Sequence, residues 1–231
     1  MFEISPTEWT AILLSLRVGI VATLVATPFG IALAWLLARR NFWGKSFLDA
    51  AIHLPLVLPP VVTGYLLLLS FGRRGLIGAW LADHLGIVFA FRWTGAALAC
   101  GVMSFPLLVR PIRLSIEAID RRLEQAAGTL GAAPWQVFAT VTLPLALPGV
   151  LAGMVLGFAK AIGEFGATIT FVSNIPGETQ TISSAIYSLI QTPDGDSAAG
   201  RLVLISIVIA IGALIASEWF ARRATQRLHG N

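Results

Sequence analysis

The chain has 231 residues and a formal net charge of +4, with 56% apolar and only 12% charged side chains and a mean hydropathy of +0.81. Soluble domains carry about 25% charged residues, so this composition excludes an ordinary water-soluble domain and points to a membrane protein. The length suits one integral domain of several spans, without a nucleotide-binding domain, and the basic residues flank apolar runs instead of lining one face, which argues against nucleic acid as a partner.

In chain order, Met1 to Trp9 holds two acids and no basic cluster, so no cleaved leader is expected. Five segments are apolar enough for the roughly 20 residues that cross a hydrocarbon core, and they predict an all-α polytopic protein. The first runs from about Ala11 to Ala38, carries Arg17 near its start, and is expected to tilt or kink at Pro28. The second, Leu48 to Phe71, contains His53-Leu-Pro-Leu-Val-Leu-Pro-Pro60, whose prolines break regular helix. The third is Thr94 to Ser115, with Arg110 and Arg113 placed to snorkel at its end. The fourth, Leu143 to Val172, and the fifth, Arg201 to Phe220, complete the set.

Basic residues set the orientation. Arg39, Arg40, Lys45, Arg110, Arg113, Arg121, Arg122, Arg222, Arg223 and Arg227 fall on one side, against Arg17, Arg73, Arg74, Arg92 and Arg201 on the other. The heavier side is expected to be cytoplasmic, with the N-terminus outside and the C-terminus inside. On the outer side a short helix is expected around Ala79 to Leu85. An amphipathic stripe of Ile182, Ala185, Ile186, Leu189 and Ile190 is expected within Ser173 to Gly200.

The most informative stretch is the inner loop, residues 117–143. Leu123, Ala126, Ala127 and Leu130 recur at helical spacing, so Asp120 to Leu130 reads as a short amphipathic helix. Gly131 supplies the left-handed residue that ends it, and Pro134 suits the first turn of a second helix, with Trp135 and Phe138 on one face, running to Pro144. Two short helices on a tight turn make a rigid cytoplasmic knob.

The spacing within this loop is Gln125-Ala126-Ala127, three residues, Gly131, nine residues, then Val141-Thr142-Leu143-Pro144. It resembles the Glu-Ala-Ala … Gly … Ile-x-Leu-Pro motif of ABC importer permeases, with Gln125 in the place of the glutamate, Glu124 beside it, and Val141 in the place of isoleucine. The resemblance implies a type I ABC importer permease fold and a coupling element that docks on a separate ATPase subunit. It would be carried by Glu124, Gln125, Ala126, Ala127, Gly131 and Pro134. His53 to Val61, Met103-Ser-Phe-Pro106 and Gly163 to Ile182 extend the likeness to the molybdate permeases from Trp9 to Arg223, and the related sulfate permeases share the Gly-Glu-aromatic-Gly element. Implied partners are two ATPase subunits, which would hold ATP and Mg, a periplasmic molybdate-binding protein, a second copy of the chain, and membrane lipid. Tungstate and sulfate are alternative substrates, and a stand-alone secondary transporter or an assembly subunit are the alternatives of other classes. Five unpaired spans without an internal repeat count against the secondary transporter.

In the fourth span, Lys160 and Glu164 lie four apart, with Gly163 and Gly166 weakening the helix around the acid. Glu164, Phe165 and Thr168 are candidate pathway or gate residues, and a structural ion pair is the competing reading. No Gly-x-x-x-x-Gly-Lys-Ser/Thr loop occurs, so the chain is not expected to hydrolyse ATP. His53, His84 and His229 lack metal-ligand spacing, and Cys100 reads as a small packing residue. No cofactor is expected on this chain.

Overall fold

The computed structural model describes residues 4–229, and for 217, 218 and 220–229 the backbone only. The guanidinium groups of Arg222, Arg223 and Arg227, counted above toward the cytoplasmic side, therefore lie outside the described residues.

Helix α1 spans Pro6–Arg39. Its start is fixed by a reciprocal cap: the Glu8 N–H donates to Ser5 Oγ at 3.2 Å while the Ser5 N–H donates to the Glu8 carboxylate at 2.6 Å. The helix continues through Pro28 without ending there. The proline removes one donor, and buried side chains on both sides of it, Val18 and Ala22 before and Ala34 and Leu37 after, hold the two turns in one packed element.

The second span is not one helix. Lys45–Val57 (α2) and Pro60–Phe71 (α3) meet at an angle of 114°. Leu58 precedes a proline and takes the extended conformation that such residues favour, Pro59 donates nothing, and Pro60 opens the next helix. Leu76–Leu85 (α4) is the short outer helix, ended by Gly86 at φ +66. Trp93–Glu117 (α5) is the third span.

The loop then holds Arg121–Thr129 (α6) and Pro134–Val137 (α7). The second loop helix does not stop at Pro144. A π turn over Phe138–Thr142 leads directly into α8, Leu143–Ile162. With the Leu143 N–H bonded back to the Phe138 carbonyl, the wider turn brings Pro144 into the first turn of α8, where its missing donor costs little. The fourth span breaks again, and Gly166–Val172 (α9) follows. Ile182–Leu189 (α10) and Asp196–His229 (α11) end the order.

Four stretches are long and apolar enough to cross a membrane: Pro6–Arg39, Trp93–Glu117, Pro134–Ile162 and Asp196–Ala216. The bent α2–α3 pair is a fifth if taken as one span. The chain is an all-α polytopic membrane protein. Along α1, Arg17 and Arg39 are separated by about 33 Å at 1.5 Å per residue, close to the roughly 30 Å of a hydrocarbon core, a spacing that suits its two boundaries.

Helix α5 is central, packed between α1 and α8. Gly153 makes the second contact close: a Cβ there would sit 2.5 Å from the Leu108 carbonyl oxygen. One apolar cluster gathers Val18, Ala96, Met103 and Phe171, and a second gathers Leu37, Ile52, Leu108 and Ile112. Cys100 is buried in the first and donates to the Ala161 carbonyl at 3.4 Å, as its packing reading anticipated. A third joins α1, α10 and α11, using Ile182 and Ala185 of the expected stripe with Ile186 and Leu189 against it. Ile190 lies past the end of α10 and is exposed.

Candidate functional site

Helix α6 starts at Asp120, whose carboxylate accepts from the Arg122 N–H at 2.9 Å. Its orientation inverts the usual amphipathic rule. Leu123 is 51% exposed and Leu130 is 88% exposed, and no residue of α6 is buried. The side that turns inward is carried by Glu124. Its carboxylate takes a charge-assisted bond from Arg39 Nε, 3.0 Å away at the end of α1, and one from the Thr142 hydroxyl at 2.6 Å in the π turn. A second nitrogen of Arg39 donates to the Ile119 carbonyl at 3.2 Å. The Arg39 side chain is only 9% exposed, so the pair is a shielded anchor between α1, α6 and the start of α8. Gln125, one residue on, faces solvent with Ala126.

Gly131 sits at φ +88, the left-handed conformation expected of it, and the Ala132 N–H reaches back to the Ala127 carbonyl. Pro134 opens α7 as expected. Trp135 and Phe138 do not share a face. Trp135 is 71% exposed, whereas Phe138 meets Trp35 of α1 edge-on at 6.0 Å. Sequence reasoning named Glu124 but missed its partners Arg39 and Thr142. The available signal was a basic residue ending α1 opposite an acid one turn into a short helix.

At the break in the fourth span, Glu164 is 2% exposed. One carboxylate oxygen is 2.7 Å from Lys160 Nζ, and the other accepts from the Ala167 N–H at 3.0 Å, which caps α9. The Thr168 hydroxyl is spent on the Phe165 carbonyl at 2.8 Å. Phe165 is half-buried, its ring 4.9 Å from that of Tyr187. The three candidate residues are thus brought together, with Glu164 and Thr168 bonded to backbone and Phe165 presenting the ring. Among the described residues no group of His, Cys, Asp and Glu is placed to hold a metal ion. His53 Nδ1 lies 2.8 Å from the Asp49 carbonyl, and Arg113, which was expected to snorkel, is paired with Asp49 at 3.0 Å and Glu117 at 2.8 Å.

Residues 26–228 match the family described as the binding-protein-dependent transport system inner membrane component. The chain belongs to this family. The molybdenum transport system permease protein ModB of Escherichia coli (strain K12) is 63% identical over 220 residues, covering 95% of this chain and 96% of that protein. The ModB of Haemophilus influenzae is 58% identical, with 96% of each chain covered. A probable sulfate transport system permease protein of Chlorella vulgaris is 37% identical, covering 87% of this chain and 76% of that one.

Solved structures agree on the fold of this inner membrane component. A bacterial ABC transporter involved in alginate import superposes with a TM-score of 0.75 at 20% identity, covering 96% of this chain and 81% of that one. The inward-facing MetNI methionine transporter gives 0.68 at 14% identity, with 94% of each covered. The architecture is that of a type I importer permease, and the chain is the multi-pass permease subunit of an ABC-type system in the inner membrane. It carries no nucleotide-binding motif, and in this family hydrolysis belongs to a separate subunit.

Proposed function

We propose that the chain, as a single transmembrane domain, forms the homodimeric pathway of an ATP-driven molybdate importer, with its N-terminus outside and its C-terminus inside. The observation that carries the coupling half of this reading is the loop whose apolar side chains point away from the protein while Glu124 ties it down. A loop that turns Leu123, Leu130 and Trp135 outward needs a cover, and the cleft of an ATPase subunit supplies one. Gln125, Ala126, Ala127, Gly131 and Pro134 shape the docking surface, and Glu124 anchors it. Each of two chains brings one such element, which suits two ATPases under two-fold symmetry, and ATP and Mg belong to those partners. Domain closure on ATP then levers α1 and α8 through the Arg39–Glu124–Thr142 junction.

The substrate assignment rests on the relatives named for molybdenum transport, 63% and 58% identical. A periplasmic binding protein delivers the anion to the outer segments, including α10. At the break in the fourth span, Phe165 serves as the gate side chain, and Glu164 and Thr168 fix the backbone that presents it.

The test is ATP-dependent molybdate uptake into vesicles holding this chain, its ATPase and its binding protein, against Gly131→Pro. Proline cannot adopt φ +88, so the turn must re-form elsewhere. Uptake in the parent and its loss in an inserted, folded variant are expected. Equal uptake in both overturns the coupling role of this turn, and uptake of sulfate in preference to molybdate overturns the substrate.

A further inference from the structure

Helices α1, α2 and α5 enclose a groove of about 650 Å³ that the transport reading leaves unused. No charged side chain lines it. Val25 and Phe29 of α1, Pro55 of α2, and Trp93, Gly101 and Phe105 of α5 form its walls. From the level of Val21 to that of Phe29 the groove descends about 12 Å along α1, most of one leaflet of a roughly 30 Å hydrocarbon core, with Arg17 about 6 Å above it. A volume of this size accepts a drug-sized apolar ligand.

The mouth of the groove is cationic. The Arg17 guanidinium lies 3.7 Å from the centroid of the Trp93 ring, which is itself a wall residue. Arg17 is exposed, at the hydrocarbon boundary opposite the α6–α7 loop, and it lies one turn above Val21 of the lining. No ion pair among the described residues includes Arg17 or its neighbour Arg92, which caps the N-terminus of α5. Below this cationic rim the wall is hydrocarbon and aromatic, apart from the Thr94 hydroxyl and the Trp93 ring nitrogen.

We propose that this groove is a binding site for one anionic phospholipid of the leaflet opposite the loop. Its phosphate sits at Arg17, and one acyl chain runs down between α1 and α5 toward Phe29. Charge complementarity selects this occupant. A helix of a second copy would fill the apolar wall and leave Arg17 without an anion, whereas a phospholipid supplies a phosphate and a chain at the spacing the groove offers. The site is independent of the ion transported.

The experiment is native mass spectrometry of the detergent-extracted full chain titrated with phosphatidylglycerol or phosphatidylcholine. The parent is expected to hold one phosphatidylglycerol per chain in preference to phosphatidylcholine. Arg17→Gln should weaken that preference about fivefold, the contribution of one basic residue near an anionic headgroup, and Arg17→Lys should restore most of it. Gly101→Leu grows into space, since a Cβ there meets nothing nearer than 3.8 Å, and should displace the lipid from a folded chain. Equal binding of the two lipids by the parent, or retention unchanged in both Arg17→Gln and Gly101→Leu, overturns the proposal. Loss of chain dimerisation in Gly101→Leu, with lipid retained, assigns the groove to a second copy and also overturns it.

Discussion

Glu124 and Gln125 are adjacent acid and amide on one short helix, and their roles divide by direction. Glu124 accepts from Arg39 and Thr142, while Gln125 faces out. Removing the Glu124 carboxylate leaves a shielded guanidinium without its partner, at a cost of about 1–3 kcal/mol that falls on the loop junction. In Glu124→Ala, amide exchange across α6 is therefore expected to speed up by roughly fivefold to a hundredfold. Gln125→Ala should leave that protection unchanged and weaken only ATPase stimulation in the assembled complex. The division was half legible in the sequence. The spacing located the motif, but which of two neighbours turns inward depends on the end of α1, some eighty-five positions away along the chain.

Among the elements, the two broken spans matter most. Both breaks were signalled, by Pro59-Pro60 and by Gly163 with Gly166, yet each span reads as one apolar run because hydropathy counts residues and ignores backbone direction. The α2–α3 angle and the restart of α9 needed the extended Leu58 and the Glu164 cap to be seen. The helical stripe in α6 was read as a period, and its leucines lie exposed, since periodicity does not say whether the partner belongs to the same chain. Pathway and structural readings of the Lys160–Glu164 pair separate in a double substitution. Glu164→Ala alone strips Lys160 of its partner and α9 of its cap. It should lower the unfolding temperature, with a cost below the roughly 3–5 kcal/mol of a fully buried pair because Lys160 is partly exposed. Lys160→Met with Glu164→Gln removes both charges and keeps an amide oxygen for the Ala167 N–H. Recovery of both stability and molybdate uptake in the double variant is the expected outcome, and stable protein without uptake would instead put the charges in the pathway.

Seen as a whole, the molecule is polarised. One end holds the loop with Arg39, Arg113 and Arg121, and the other holds α4, α10 and the Glu8–Arg201 pair at 2.9 Å. An odd number of crossings puts the loop and Gly177 on opposite sides. In a Cys100→Ala background, Trp135→Cys in inner-membrane vesicles turned inside out should react with a membrane-impermeant maleimide, and Gly177→Cys should react only in right-side-out preparations. The opposite pattern, with Trp135→Cys reacting only in right-side-out preparations and Gly177→Cys only in inverted ones, would reverse the N-out, C-in assignment. The outward-turned Leu123, Leu130 and Trp135 carry a further consequence for the living cell. Copies made in excess of the ATPase would display the kind of exposed apolar side chains that chaperones and membrane proteases seek in misfolded chains. Synthesis of the two subunits should thus have to be balanced, and surplus permease should be short-lived.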